Sequence, residues 1–315
     1  DNTRIIGQSA FDQFYLPYWY DDQKRAKIEQ VAFPRDLIVI SQDAFSNCEQ
    51  IKYIDLPPRL VSIGNYAFYE CSGLQEVRLG PVRSIGMSAF YHCRELAAIN
   101  LEDTRITTLR SATFSECKAL PVVILPETLQ MVETEAFEAC ESLETVFFLS
   151  DHVAIQSKAF DNCIGLKYMI FAKGVPTSFG ESVLGETAST PDGRYYISGY
   201  RETLSRPIPY PTLLYTAAYA GEWAPNGEAE WNGYPIQQIS QEELDAILAE
   251  ARGETTPAEV TPSPTPLPES TQKPSEETAE SSADDKWVLE AFVLAVVAVG
   301  VAIAVFLVNP KRRSK

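Results

Sequence analysis

The sequence is poor in the residues that most catalytic and metal sites need. Only two histidines occur in 315 residues, His92 and His152, and they lie in different parts of the chain. The chain has no C-x-x-C pair, no H-E-x-x-H motif, no phosphate loop, no nucleophile elbow and no calcium loop. We therefore predict that the protein is not an enzyme and holds no metal or cofactor.

Positive charge is scarce as well. The chain carries 26 Lys and Arg against 43 Asp and Glu, which gives a net charge of −17. A body of that sign repels phosphate backbones, so we expect no nucleic-acid partner. The sequence also lacks any N-x-S/T glycosylation acceptor, which favours a bacterial origin over a eukaryotic ectodomain.

Cysteine is rare, and every cysteine occupies the same place in a repeated phrase. The stretch AFSNCEQIKYIDLP (44–57) returns as AFYECSGLQEVRLG, AFYHCRELAAINLE, TFSECKALPVVILP, AFEACESLETVFFL and AFDNCIGLKYMIFA. The repeat period is about 23 residues. The six cysteines are Cys48, Cys71, Cys93, Cys117, Cys140 and Cys163.

Each repeat combines a strand pattern with a turn pattern. Ile54 and Leu56 alternate with polar Asp55, which indicates a strand with one buried face. Pro57 ends that strand because it has no N–H to donate. Gly64 follows the next isoleucine, where we expect a turn that needs permissive backbone angles. The unit therefore predicts a short strand, a turn and a helix-like segment.

One such unit cannot bury its own apolar face, whereas stacked copies can. We predict a solenoid of about seven turns over residues 1–174, interrupted by an insertion at 15–27 (YLPYWYDDQKRAK). The period is lost after Gly174, so we expect the solenoid to end there. Residues 6–11 already carry half of a repeat, and we expect any N-terminal cap to lie upstream.

The cysteines are expected to stack as free thiols inside the solenoid, where cysteine acts as a small hydrophobe. Two alternatives remain: three disulfides, typical of extracellular proteins, or a metal or redox role. Stacked equivalent residues point the same way, which is a poor geometry for a disulfide. Cys93 follows His92, but neighbours in a helical turn point about 100° apart, so a catalytic dyad is not expected.

The unit AFxxCxxLxxIxLPxxLxxIGxxAF resembles the BspA-like leucine-rich repeats of bacterial and some protist surface proteins. The resemblance covers residues 5 to about 175. It implies a fold of the α/β class, a curved right-handed leucine-rich-repeat solenoid, and a role in surface adhesion or ligand binding. Gly80-Pro81-Val82 shortens one unit and Thr104 to Thr108 extends the next, which departs from the pattern.

Residues 175–253 form an irregular, aromatic-rich segment with several turn signals and the strand-like runs RYYISGY and YPIQQI. A capping box of Ser240 and Glu243 predicts a helix from Ser240 to Arg252. The tyrosines and tryptophans can cover the open end of the solenoid as a β-rich C-terminal cap, or they can stack on a sugar or peptide. We favour the cap.

The rest of the chain predicts a surface anchor. Residues 254–286 are rich in Pro, Ser, Thr and Glu, and we expect a disordered stalk. Residues 287–308 predict one transmembrane helix, and the basic tail 309–315 places the C-terminus in the cytoplasm. We expect a signal peptide to have been removed. Leu267-Pro268-Glu269-Ser270-Thr271 also resembles a sortase signal, so transfer to the cell wall is an alternative.

Candidate ligand-binding residues follow from the strand alternation. The residue between two core aliphatics faces the opposite side, which is the concave side of such a solenoid. These residues are Asp55, Arg78, Asn100, Ile124, Phe147 and Ile170. The last three predict an exposed apolar patch, with Val122 and Tyr168 beside it. In the alternative interpretation, the C-terminal segment folds back over them.

We expect a cell-surface binding or adhesion protein that presents its solenoid to an extracellular protein or glycan. The alternative is a membrane-tethered scaffold or receptor component that acts with a partner in the same membrane. A seven-residue tail leaves no room for a signalling module, which favours adhesion. The sequence predicts no oligomeric state.

Overall fold

Each repeat contributes a long strand and a short strand to two ladders of parallel strands. The computed structural model describes residues 3–12, 28–180, 182–184, 187–189, 195–197, 203–204 and 210–254. The chain divides into two compact units, Asp1–Leu244 and Asp245–Lys315. The long strands are β3 (Tyr53–Asp55), β5 (Glu76–Arg78), β7 (Ala98–Ile99), β9 (Val122–Leu125), β11 (Thr145–Phe148) and β13 (Tyr168–Phe171).

Each turn of the solenoid contributes one short strand. The described short strands correspond to about eight turns, one more than the seven predicted. They form two four-stranded parallel sheets. The first contains β1 (Ile5–Ile6), β2 (Val39–Ile40), β4 (Ser62–Ile63) and β6 (Ser84–Ile85). The second contains β8 (Thr108–Leu109), β10 (Met131–Val132), β12 (Ala154–Ile155) and β14 (Ser178–Phe179).

The additional turn lies beyond Gly174, where the sequence period was predicted to end. Strand β14 pairs with β12 in the register of the earlier turns, Ile155 opposite Phe179. The Phe160 amide donates to the Val183 carbonyl at 2.9 Å, just as the Phe137 amide donates to the Ala159 carbonyl. Val183 therefore takes the place of the repeat alanine. This turn was missed because it has neither the phenylalanine nor the cysteine of the repeat.

Both ladders are interrupted at the same irregular repeat. A 3-10 helix, Leu101–Asp103, replaces the end of the long strand after β7. The β3-β5-β7 sheet stops there, and the next long-strand sheet begins at β9. The short-strand ladder breaks between β6 and β8. This is the shortened and extended pair of units recognised in the sequence.

A column of phenylalanine rings forms the spine of the core. Consecutive rings from Phe11 to Phe160 stack nearly parallel, with centroids 5.0 to 5.5 Å apart. From Phe45 onward these rings are buried, together with the aliphatic residues of the strands. Burial of such a side chain stabilises the fold by about 1.5–3 kcal/mol. One column of rings therefore runs through the first seven turns.

The six cysteines form a second column, as predicted. All six are free and buried. Each thiol donates to the carbonyl oxygen of the phenylalanine in the preceding turn, with sulfur–oxygen distances of 3.0 to 3.3 Å. Cysteine therefore fills a small apolar space and also supplies one hydrogen-bond donor. The six cysteines form no disulfide in this structure.

The tight turns depend on left-handed residues and not on the repeat glycine. Two residues of most turns have positive φ angles, for example Tyr66 at 56° and Glu70 at 54°. Gly64 and Gly86 do not have positive φ, so the predicted reason for them was wrong. A Cβ on Gly86 would lie 2.4 Å from the Asn65 backbone nitrogen. The glycine is needed because adjacent turns approach closely.

After the last turn, further strands extend the long-strand sheet. Strand β18 (Thr212–Thr216) pairs in parallel with β13, and β20 (Tyr234–Ile239) pairs in parallel with β18. Strand β19 (Glu230–Trp231) closes a hairpin on β20. Strands β15 (Thr187–Ser189), β16 (Tyr195–Ile197) and β17 (Thr203–Leu204) form a separate antiparallel sheet. A short helix α1 (Ala220–Trp223) follows β18.

The predicted C-terminal helix is confirmed as α2 (Gln241–Ala251), including its capping box. The Glu243 amide donates to the Ser240 hydroxyl at 3.1 Å, and the Ser240 amide donates to the Glu243 carboxylate at 2.6 Å. The predicted stalk, membrane span and tail (254–315) lie outside the described residues, except for residue 254. Within the described part of the chain, no helix has the length and apolar character to cross a bilayer.

Candidate binding surface

The two long-strand sheets present two rows of side chains away from the core, because alternate strand residues face opposite sides. We call them the outward rows. The first row contains Tyr53, Glu76, Ala98, Val122, Thr145, Tyr168 and Thr212. The second contains Asp55, Arg78, Asn100, Ile124, Phe147, Ile170 and Leu214. The six predicted ligand-binding residues therefore occupy the equivalent position of successive turns, on two sheets separated by the break after β7.

The N-terminal part of these rows is open. Asp55 and Arg78 are exposed, and they lie opposite each other on β3 and β5. Tyr53 is 55% exposed, and its hydroxyl donates to the Gln75 side-chain oxygen at 3.1 Å. The Arg78 guanidinium forms an ion pair with Glu76 at 2.7 Å. An exposed tyrosine beside a mixed-charge pair is suited to binding a polar partner surface.

Asn100 does not contribute a free amide to this surface. Its side-chain oxygen accepts from the Leu79 amide at 2.7 Å, and its nitrogen donates to the Leu79 carbonyl at 2.9 Å. The nitrogen also donates to Asp103 at 2.6 Å. The side chain thus pairs with Leu79 as a strand neighbour would, at the point where the ladder breaks. We assign Asn100 a structural role.

The predicted exposed apolar patch is wrong. Ile124 is 9% exposed, and Phe147 and Ile170 are each 1% exposed. The three residues do not belong to the main core, which agrees with their outward position. Leu214 of β18 lies in register with Ile170 and is also buried. The C-terminal half of the second outward row is therefore covered.

Three aromatic residues of the C-terminal segment, Trp223, Trp231 and Tyr234, pack inward. Trp223 is buried, its indole N–H donates to the Gly174 carbonyl at 3.2 Å, and its ring contacts Phe171 at 5.1 Å between centroids. Trp231 packs against Trp223 and Phe179 at 5.1 and 5.4 Å. These rings continue the apolar core past the last turn. Among the aromatic side chains that the structure describes between residues 210 and 254, Tyr210 is the strongly exposed one.

The six cysteine thiols are buried, and their burial makes them chemically unreactive. Burial raises the pKa of the Cys48 thiol to about 12. It raises the pKa values of the other five thiols as well. A thiol that stays protonated is a poor nucleophile and a poor metal ligand. Among the described residues, no group of three or more His, Cys, Asp or Glu side chains is placed to hold a metal ion.

His92 and Cys93 do not form a catalytic pair. The Cys93 thiol points into the core and donates to the Phe68 carbonyl at 3.3 Å. The His92 imidazole points outward, where its Nε2 lies 2.6 Å from a Glu116 carboxylate oxygen. The two side chains thus lie on different faces of the turn, as the sequence predicted.

A polar groove of about 530 Å³ lies on the loops that join long strands to short strands. Its walls include Thr107, Glu127, Gln130, Asp151 and His152. Lys173 pairs with Glu127 at 3.0 Å, and His152 pairs with Asp151 at 2.8 Å. Because its charged groups are paired with each other and exposed, the groove offers no concentrated charge to a ligand.

Comparison with known families agrees with this architecture. The family model described as BspA type leucine rich repeat region, with six copies, matches residues 1–80, 22–104 and 80–189. This chain belongs to the BspA-type leucine-rich repeat family. The resemblance inferred from the cysteine repeat is therefore confirmed.

Among solved structures, the BspA-type chain is similar to three bacterial leucine-rich repeat proteins. The T. pallidum protein TpLRR shares 27% identity over 46% of this chain and 67% of its own, with a TM-score of 0.41. A leucine rich cell surface protein of Faecalibacterium prausnitzii shares 19% over 69% and 68%, with a TM-score of 0.36. A leucine-rich repeat protein of Bacteroides ovatus shares 21% over 76% and 67%, with a TM-score of 0.40. Comparison with curated proteins gives no match.

Proposed function

We propose that this protein is a cell-surface binding and adhesion protein that presents its solenoid to an extracellular protein ligand. The repeat family supports a general binding role. The column of rings through the first seven turns provides a stiff support, which a binding surface needs if its side chains are to stay in place. The predicted stalk and membrane helix (254–308) would hold that surface away from the cell.

The observation that carries the proposal is the uneven coverage of the outward rows. From β9 onward the second row is buried, whereas the β3-β5-β7 sheet is open and carries Tyr53, Asp55 and Arg78. Tyrosine and arginine are enriched in the energetic centres of protein interfaces. We therefore assign the ligand contact to this sheet, which retains two of the six residues predicted from the sequence.

The direct test is binding of the purified full chain to protein and glycan arrays, with a Tyr53→Ala/Asp55→Ala/Arg78→Ala variant beside it. We expect protein ligands to be captured and the triple variant to lose at least tenfold in affinity. Arg59→Ala is the matched control, because Arg59 is an exposed arginine that pairs with Asp36 and belongs to none of the strands of this sheet. Capture of glycans only, or equal binding by the triple variant, would contradict the proposal.

Anchoring requires a separate measurement. We expect the protein to stay in the membrane fraction after carbonate extraction and to be cleaved by protease added to intact cells. Release by carbonate would contradict a membrane helix, and recovery in cell-wall digests would favour the sortase-like alternative. A partner crosslinked in the same membrane, with no captured extracellular ligand, would favour the scaffold alternative.

A further inference from the structure

A cluster of aromatic side chains lies on the turns that follow the short strands β4 and β6. We call Tyr66, Tyr69, Tyr91 and His92 the aromatic ladder. The rings of Tyr69 and Tyr91 stack at 5.0 Å between centroids, and those of Tyr91 and His92 at 4.4 Å. Tyr66 meets Tyr69 edge-on at 5.7 Å. All four side chains are partly exposed.

The core does not require these tyrosines. Tyr69 and Tyr91 occupy the position directly after the repeat phenylalanine. In the neighbouring turns that position holds Ser46 and Ser115, and further along it holds Glu138 and Asp161. The same fold therefore accepts small or charged residues there. Packing of the core therefore does not explain why tyrosine occupies this position in two adjacent turns.

Tyr66 is the bulkiest residue at a left-handed position that recurs from turn to turn. Its φ angle is 56°, in the left-handed region that bulky residues rarely adopt. The equivalent residues of other turns include Asp43, Ser88 and Ala112. The left-handed conformation is unfavourable for an L-residue with a bulky side chain. The turn therefore requires the left-handed angle, but the smaller residues of the other turns show that it does not require tyrosine.

Acidic groups surround the ladder. Glu70 follows Tyr69, and its carboxylate lies 4.0 Å from His92 Nδ1, while Glu116 lies 2.6 Å from His92 Nε2. Burial, followed by the Glu70 charge, raises the pKa of Tyr69 to about 12, so the phenol stays neutral. Arg94 lies 3.6 Å from Glu116. Glu70 is 38% exposed and can still accept hydrogen bonds from a partner.

We propose that the aromatic ladder is a docking surface for a polypeptide segment with exposed arginine side chains. A guanidinium stacks favourably on a tyrosine ring and can bind a carboxylate through two N–H groups. The ladder offers both partners side by side, on a chain of net charge −17. Lysine lacks the planar fork, so arginine is the preferred residue.

The repeat itself supplies the test variants. Tyr69→Ser/Tyr91→Ser copies the residue found at the same position in neighbouring turns and leaves the net charge unchanged. The probe is a synthetic arginine–glycine–serine repeat peptide, and the reference peptide carries citrulline in place of arginine. Binding of the full chain is measured by titration calorimetry at physiological ionic strength. We expect the double variant to bind the arginine peptide about tenfold more weakly, and the citrulline peptide to bind little.

Tyr66→Ser separates function from folding. Because serine is the residue at the equivalent position of another turn, Ser88, and tolerates positive φ better than tyrosine, we expect a higher melting temperature. We also expect weaker peptide binding, so that stability and affinity change in opposite directions. Unchanged affinity in both variants, or equal binding of the citrulline peptide, would overturn the proposal. Loss of peptide binding in Tyr53→Ser alone would assign it to the long-strand sheet instead.

Discussion

The Cys140 thiol donates to the carbonyl oxygen of Phe114 in the preceding turn, at a sulfur–oxygen distance of 3.2 Å. That carbonyl also accepts from the Cys117 amide at 3.2 Å. The two hydrogen bonds connect the tight turn of one repeat to the core of the next. They explain why a residue with both apolar character and a donor recurs at this position.

Gly86→Ala should destabilise the protein by about 2–4 kcal/mol, because the added Cβ would lie 2.4 Å from a backbone atom of the previous turn. Urea unfolding followed by circular dichroism measures the loss. Gly7→Ala is the control, since no atom lies within 4 Å of its Cβ position. A cost below about 0.5 kcal/mol for Gly86→Ala would contradict the close approach of the turns.

Ala112→Gly should stabilise the protein by about 1 kcal/mol, because Ala112 has a φ angle of 52° that glycine adopts without strain. Ala89→Gly is the matched control. Ala89 is buried and is not among the left-handed residues, so the same change should cost about 1–2 kcal/mol. Thermal unfolding compares the two. Destabilisation by both substitutions would contradict the left-handed assignment.

Asp161→Asn should stabilise the protein at pH 7.5 and have little effect at pH 4. Burial, followed by the Glu138 charge, raises the pKa of Asp161 to about 6. The folded state therefore binds the proton more tightly than the unfolded state. The contribution of Asp161 is complete below its unfolded pKa and is lost as the pH rises through 6.

We expect a gain of about 1–2 kcal/mol for Asp161→Asn at pH 7.5, allowing for solvent screening. Urea unfolding at the two pH values measures it. Asp55→Asn, at an exposed carboxylate of β3, is the control and should change stability little at either pH. A loss of stability at pH 7.5 in Asp161→Asn would mean that the carboxylate is held charged by partners.

Phe147→Ala should destabilise the protein by about 3–5 kcal/mol, because Phe147 is 1% exposed although it faces away from the main core. Tyr53→Ala, in the open part of the outward rows, should stay within about 0.5 kcal/mol of the parent chain. Chemical unfolding of both variants gives the comparison. Similar small costs would show that the outward rows are open along their whole length.

The sequence predicted the features that depend on a strict period. A cysteine and a phenylalanine at one position of each repeat indicate stacked columns, and Ile54 and Leu56 around Asp55 indicate a one-sided strand. The eighth turn could not be recognised from the sequence, because Val183 and Leu184 occupy the positions where alanine and phenylalanine are expected. Its strand still pairs in register. Strand pairing uses backbone hydrogen bonds and needs apolar side chains of suitable size, not the consensus residues themselves.

The candidate surface was only partly predictable, because its openness depends on contacts that have no period. Strands β14 to β17 lie between β13 and β18 along the chain, so nothing near Ile170 indicates that Leu214 will lie beside it. The role of Asn100 depends on the local interruption of the ladder. Because the strand ends there, the Asn100 side-chain amide forms hydrogen bonds with the Leu79 backbone. Tyr66 resembles any surface tyrosine until its φ angle is known.

Six protonated thiols buried in one column are the central feature of this fold. The most direct test is alkylation of the full chain, without reductant, followed by intact mass spectrometry. We predict no modified cysteine under native conditions and six modified cysteines after denaturation. Rapid labelling of the native protein would place thiols at the surface, and fewer than six labels after denaturation would show disulfides; either result would contradict the buried column.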